Sequence, residues 1–284
     1  MVAELTLSHV SRHFGETKAV DDVTLTVEPG QFVGVIGRSG AGKSTMLRLI
    51  NRLIDPTSGS ISFDGTEITA LKGKQLHNWR RDCAMIFQQF NLVDRLDVIT
   101  NVLIGRLAEH GFLSSMAMRF TDEERTMALH ALDRLDLVPQ ALQRAGTLSG
   151  GQQQRVAIAK ALVQQPKIML ADEPIASLDP ANATRVMDGL KTINQEDGLT
   201  VLVNLHTLDT ARAYCSRIIA MRLGRVMFDG KASELTDAVV RDIYGIEGLK
   251  EFNEAVTSTQ AVAATEALKA AAGVTSPKTD KIPA

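Results

Sequence analysis

The sequence predicts an α/β fold built on a mostly parallel sheet covered by helices. Three observations carry the prediction. An apolar run at Phe32–Ile36 leads directly into glycines and then a helix-like stretch, Ser44–Leu53, the strand, turn and helix that open an α/β unit. Further apolar runs at Ala84–Phe87, Ile168–Ala171 and Thr200–Leu205 are short, nearly continuous and bounded by polar residues, as strands buried on both faces are. Between about Leu92 and Gly146 strand signals vanish, which points to an inserted helical subdomain.

In chain order, Leu5–Val10 and Val23–Val27 are β-type runs, the second alternating through Thr24 and Thr26, and a Pro29-Gly30 turn precedes Phe32. In the helical region, Thr121 with Glu124 three residues on forms a capping box. The helix it opens places Met127, Ala131, Leu132 and Leu135 on one stripe. Near the end, Arg217–Met221 and Arg225–Asp229 flank a Leu223-Gly224 turn and predict a hairpin. After about Gly248 the chain becomes Ala- and Thr-rich, with Ser276-Pro277 near its end, so 249–284 is expected to be a frayed helix or mobile tail.

Composition narrows the function classes. The 284 residues are 44% hydrophobic and 23% charged, as in an ordinary globular protein, and no stretch approaches 18 uninterrupted apolar residues. A formal charge of -2 supplies no global field to recruit nucleic acid, and an aromatic fraction of only 4% weakens any base-stacking platform. The opening residues lack the order of a secretory signal, so the chain is expected to stay in the cytosol. Cys83 and Cys215 are far apart without metal-ligand spacing and are expected to be small core hydrophobes.

Gly37-Arg38-Ser39-Gly40-Ala41-Gly42-Lys43-Ser44 matches the phosphate-binding loop G-x-x-x-x-G-K-[ST] and lies where a strand turns into a helix. Its glycines let backbone N–H groups wrap phosphates, the helix N-terminus adds positive potential, Lys43 reaches the outer phosphates, and Ser44 can ligate Mg²⁺. The strand Ile168–Ala171 ends in two acids. It is expected to deliver Asp172 beside the phosphate loop to hold Mg²⁺ through water, with Glu173 as general base for the attacking water. Leu148-Ser149-Gly150-Gly151-Gln152-Gln153-Gln154-Arg155 sets a serine and two glycines at a second helix N-terminus, a second phosphate site on one chain.

The octet resembles the signature of ABC-type ATPases, and the resemblance covers about residues 3 to 247. It implies a P-loop NTPase core with a mostly parallel sheet, an antiparallel β subdomain and a helical subdomain at about 90–150, within a nucleotide-binding domain over 1–248. The implied cofactors are ATP and Mg²⁺. Phe14 falls where the family stacks adenine, and 37–44 with Thr45 is implied to hold the phosphates. Ser149, Gly150, Gly151, Gln152 and Asp179, the last in the dimer-crossing run Ser177-Leu178-Asp179, are implied to reach the nucleotide on a second copy paired head to tail. Gln88 matches a glutamine that touches the metal and the lytic water; Ser44, Gln88 and Asp172 are thus implied metal contacts. His206 matches a histidine on the γ-phosphate and joins Glu173 and Gln88 as implied catalytic groups.

A single such unit resembles the separate ATPase subunit of a bacterial importer. That implies a homodimer on the cytoplasmic face of the inner membrane, with two transmembrane permease subunits and, indirectly, a periplasmic solute-binding protein, and no nucleic acid. Asn91–Val98 lies where the family receives a coupling helix from the membrane subunit. The segments 87–93, 101–107 and 201–206 are similar to those of phosphonate-importer ATPases, while polar-amino-acid and methionine importers share much of this text. A soluble ABC ATPase of phosphonate breakdown is a further alternative. DNA-repair members carry long coiled-coil insertions and often a Cys-x-x-Cys hook, and ribosomal members carry two ATPase units; neither feature occurs here.

Overall fold

Phe32–Ile36 (β3) is buried at all five positions, because layers of side chains cover both faces of the strand. Val33 and Val35 enter one apolar cluster, Phe32 and Ile36 another on the opposite face. The computed structural model, which describes residues 4–110, 118–236, 239–241 and 243–244, shows what lies on each side. β3 sits inside a six-stranded sheet with Cys83–Ile86 (β6), Ile168–Ala171 (β7), Thr200–Asn204 (β8), Arg217–Arg222 (β9) and Arg225–Lys231 (β10). The order is β10-β9-β3-β8-β7-β6, with every pairing parallel except that of β9 and β10.

A second, antiparallel sheet is formed by Leu5–Phe14 (β1), Thr17–Val27 (β2), Ser58–Phe63 (β4) and Thr66–Glu67 (β5), in the order β2-β1-β4-β5. Lys43–Ile50 (α1) contributes Met46, Leu47, Leu49 and Ile50 to the cluster shared by the two sheets. The helix that follows the phosphate loop is thereby clamped in apolar surroundings. The sheets are tied at their ends by Asp21 N–H donating to Gly224 O at 2.9 Å and Arg217 Nη1 donating to Thr26 O at 2.6 Å.

Further helices among the described residues include Gly73–Asp82 (α2), Val98–Leu103 (α3), Asp122–Asp133 (α4), Gly150–Leu162 (α5), Pro180–Asp197 (α6) and Leu208–Tyr214 (α7). α4 begins with the expected box: Thr121 N–H donates to Glu124 Oε2 at 2.9 Å and Glu124 N–H to Thr121 Oγ1 at 3.2 Å. Its buried stripe is Ala128, Ala131 and Leu132, continued by Leu135, whereas Met127 is only partly covered. The expected tail, 249–284, lies outside the described residues.

Several element ends differ from expectation: β2 begins at Thr17 rather than Val23, β6, β8 and β9 shift by one residue at one or both ends, and β10 runs two residues further, to Lys231. β1 continues past Val10 to Phe14, through register breaks on either side of Val10 and a left-handed His9 (φ 50°) that spoil its period-two pattern. α1 stops at Ile50, short of Leu53, because Arg52 turns left-handed (φ 60°). Among the described residues no helix is long and apolar enough to cross a membrane.

Both cysteines are free and buried. Burial pushes the Cys215 thiol up to about 12 and the Cys83 thiol higher still, against 9.0 for an ordinary thiol. Folded thiols therefore keep their protons where unfolded ones release them, so stability is lost as pH rises above 9, by about 1.4 kcal/mol per pH unit for each thiol. Urea midpoints measured between pH 8 and 10.5 should fall less steeply for Cys83→Ala/Cys215→Ala than for the parent; parallel slopes would contradict this origin.

Candidate functional site

The parallel strands end at one level. Ile86 pairs with Ala171, Ala171 with Val203, and Val203 with Gly34, so the residues that follow converge along one edge of the sheet. From β3 the chain enters Gly37–Ser44. Gly37 (φ 146°) and Gly42 (φ 102°) are positions where only glycine serves, since a Cβ would strike the carbonyl oxygens of Met221 and Ala19. Arg38, Ser39 and Gly40 at the tip are exposed, Ala41 is buried, and Ser44 and Thr45 are partly covered. Gly42 caps α1 without any side-chain bond, so the first turn presents its N–H groups outward.

Lys43 is 4% exposed and its Nζ donates to Gly37 O at 2.7 Å and Arg38 O at 3.3 Å. Burial pulls its pKa down, opposed by the negative charges of Glu173 and Asp172. Asp172 is brought beside the loop as expected: Ser44 Oγ donates to its Oδ1 at 2.7 Å, Asn204 Nδ2 donates to the same oxygen at 2.7 Å, and Arg48 Nη2 stands 3.8 Å from Oδ2. Glu173 adopts a left-handed backbone (φ 53°) and its Oε1 lies 2.6 Å from His206 Nε2. Such a conformation costs a non-glycine residue about 1 kcal/mol. Gln88 follows β6 and is exposed.

The second helix N-terminus is built differently. Ser149 N–H donates to Gln152 Oε1 at 2.9 Å and Gln152 N–H to Ser149 Oγ at 3.4 Å, a capping box that occupies two of the N–H donors at this helix start. Gly150 approaches Leu178 and Phe90, and Gly151 is packed against Asn182 in the first turn of α6. Asn182 donates from its backbone N–H and its Nδ2 to the two oxygens of Asp179 at 3.0 and 2.5 Å, which holds that carboxyl below its ordinary pKa. Among the described residues no hydrogen bond joins 149–152 or Asp179 to the phosphate loop of the same chain. Ser149 and Gly150 stay exposed instead.

Phe14 is 47% exposed, with one face of its ring covered by the Arg12 guanidinium at 4.5 Å. The loop 91–97 is stapled by fully buried Asn101, which accepts from Val93 N–H at 2.7 Å, and by Lys160 Nζ donating to Asn91 O at 2.8 Å. Sequence reasoning missed Arg12, Asn182 and Asn204, whose partners are set by register and packing; only Asn204, a polar residue in an apolar strand two before His206, left a trace. A cavity of about 520 Å³ beside α4 and the C-terminal ends of α5 and α6 contains none of these groups.

The chain matches the ABC transporter family over residues 20–176. It is 62% identical over 253 residues to the phosphonates import ATP-binding protein PhnC of Rhizobium meliloti, covering 89% of this chain and 90% of that one. With the protein of the same name from Agrobacterium fabrum it shares 61% over 254 residues, 89% of each chain. Among solved structures, a dimeric ATP-binding cassette in a post-hydrolysis state with ADP and Pi superposes with a TM-score of 0.70 at 38% identity, covering 80% of this chain and 98% of that one. The ADP conformation of another ABC transporter cassette gives 0.75 at 27%, covering 88% and 98%.

The contact between α5 and α6 generates a test. A Cβ on Gly151 would lie 2.5 Å from Asn182 Cγ and 2.7 Å from its Cβ. Gly151→Ala should therefore cost about 1–3 kcal/mol in urea unfolding, with the Asp179 clamp displaced; an unchanged midpoint would show that the two first turns are not pressed together.

Proposed function

Because the chain belongs to the ABC transporter ATP-binding family, we propose that it is the ATPase subunit that energises import of phosphonates across a bacterial inner membrane. ATP binding and hydrolysis come with the family, as does assembly into a transporter complex through paired cassettes. The observation that carries the phosphonate reading is 62% identity, across nine-tenths of both chains, to a relative named for phosphonates import. The proposed station is the cytoplasmic face of the membrane, with two permease subunits and, indirectly, a periplasmic solute-binding protein.

In this mechanism Lys43 turns its Nζ from the carbonyls of Gly37 and Arg38 to the outer phosphates, joined by the N–H groups of 38–45. Phe14 stacks adenine on the ring face that Arg12 leaves open. Ser44, Asp172 and Gln88 are the residues that would hold Mg²⁺. Ser44 is suited to this because its hydroxyl proton is given to Asp172, which leaves the oxygen lone pairs available. When bound, Mg²⁺ supplies positive charge to the phosphate oxygens.

Glu173 takes a proton from water as the water oxygen attacks the γ-phosphorus and the bond from that phosphorus to the bridging oxygen of ADP breaks. His206, 2.6 Å from Glu173 Oε1, orients that carboxylate and reaches the γ-phosphate. Ser149, Gly150, Gly151, Gln152 and Asp179 of a second copy close the other side of the nucleotide. The stapled loop 91–97, followed by α3, is the surface offered to the membrane subunit. The nucleotide-binding unit is assigned to 1–248, with its helical part at about 90–150.

The reading is tested in vesicles containing the permease subunits of a phosphonate system and the full chain. Its solute-binding protein loaded with a phosphonate should stimulate ATP hydrolysis several-fold, and Glu173→Gln should abolish turnover while ATP binding persists. Stimulation by methionine or polar-amino-acid components, with none by a phosphonate, would assign a different client; indifference to every membrane partner would overturn the importer reading.

A further inference from the structure

Where β8 runs beside β7, the pair Ala171 and Val203 is followed by Asp172 and Asn204, so an amide stands level with the carboxylate in the floor of the site. Asn204 Nδ2 donates to Asp172 Oδ1 at 2.7 Å. The Asn204 side chain is fully buried and its own Oδ1 accepts no hydrogen bond. A buried acceptor without a donor is destabilising, and an apolar side chain of the same size would avoid it. The amide thus opposes folding at one end, and what it gives in return is confined to the bond at the other.

That bond acts on an atom already engaged. Ser44 Oγ donates to the same Oδ1 at 2.7 Å, so two donors from different parts of the chain fix the carboxylate plane and fill one of its oxygens. Oδ2 accepts neither of these bonds and has Arg48 Nη2 at 3.8 Å. Two residues further along, His206 approaches Glu173 in the same way, so the chain of β8 grips both members of the acidic pair.

We propose that Asn204 is a positioning residue for the divalent cation, holding Asp172 so that its Oδ2 and the Ser44 oxygen are presented together. The proposal rests on the Mg²⁺–nucleotide reading of the site. Removing Asn204 leaves every phosphate-binding group in place and leaves Asp172 held by Ser44 alone, so the loss falls on metal binding.

The test compares the full chain with Asn204→Leu, using a fluorescent, non-hydrolysable ATP analogue in EDTA and across a Mg²⁺ titration, together with the melting temperature. Expected are an unchanged affinity in EDTA, a half-saturating Mg²⁺ concentration raised about tenfold or more, and a melting temperature that holds or rises as the stranded acceptor disappears. Should that variant not fold, Asn204→Ser, too short to reach Asp172, should show the same Mg²⁺ shift. An unchanged Mg²⁺ dependence would overturn the proposal. So would lower affinity in EDTA with a lower melting temperature, which marks a structural role. Failure of the unaltered chain to bind the analogue would defeat the nucleotide reading itself, and the proposal with it.

Discussion

The carboxylate of Asp172 is the point on which the site depends. It terminates β7, accepts from Ser44 in the first turn of α1 and from Asn204 at the end of β8, and faces Arg48 one turn further along α1. Those groups come from three stretches of chain, Ser44 lying 128 residues before Asp172 and Asn204 lying 32 after it, and only the parallel register of β3, β8 and β7 brings their ends to one level. Moving β7 by one residue would put Asp172 on the other face of the sheet and leave Ser44 and Asn204 without their acceptor. The sheet is therefore buried on both faces for a reason beyond stability: with α1 clamped between two sheets and helices covering the far side, no strand is free to slide.

The same economy explains the exposed half of the site. Around Ser149 the chain spends its hydrogen bonds locally, in a capping box and in the Asp179–Asn182 clamp, and packs Gly151 tightly on Asn182. The outcome is a packed pair of first turns at α5 and α6, with Ser149, Gly150 and Asp179 exposed, that no hydrogen bond among the described residues connects to the phosphate loop of its own chain. In the proposed mechanism this surface finds its use on a second copy, and the alignment with a dimeric cassette is in keeping with that geometry.

What could be seen in the sequence follows the range of the forces involved. The phosphate loop, the acids at the end of β7 and the capping box at Thr121 are local patterns, and each lies where its spacing indicated. β3 and β7 were visible to the residue because continuous burial leaves a continuous apolar run. β1 was cut short because its bulges and the left-handed His9 interrupt the alternation, β2 was read only from Val23, and β4, β5, α2, α6 and α7 went unassigned. β5 has only two residues and α2 buries only Trp79, so neither leaves a periodic stripe to recognise. Asn204, Asn182 and Arg12 were out of reach because their importance lies in what faces them. Asn204 needs Asp172, 32 residues away, and Arg12 matters through the ring it covers.

The central claim is that this chain carries two complementary halves of a nucleotide site that meet only between copies. The most direct test is the mass of Glu173→Gln in solution by light scattering, with and without ATP and Mg²⁺. The account predicts a single-chain mass without nucleotide and a doubled mass with it. A single-chain mass at saturating ATP would contradict it.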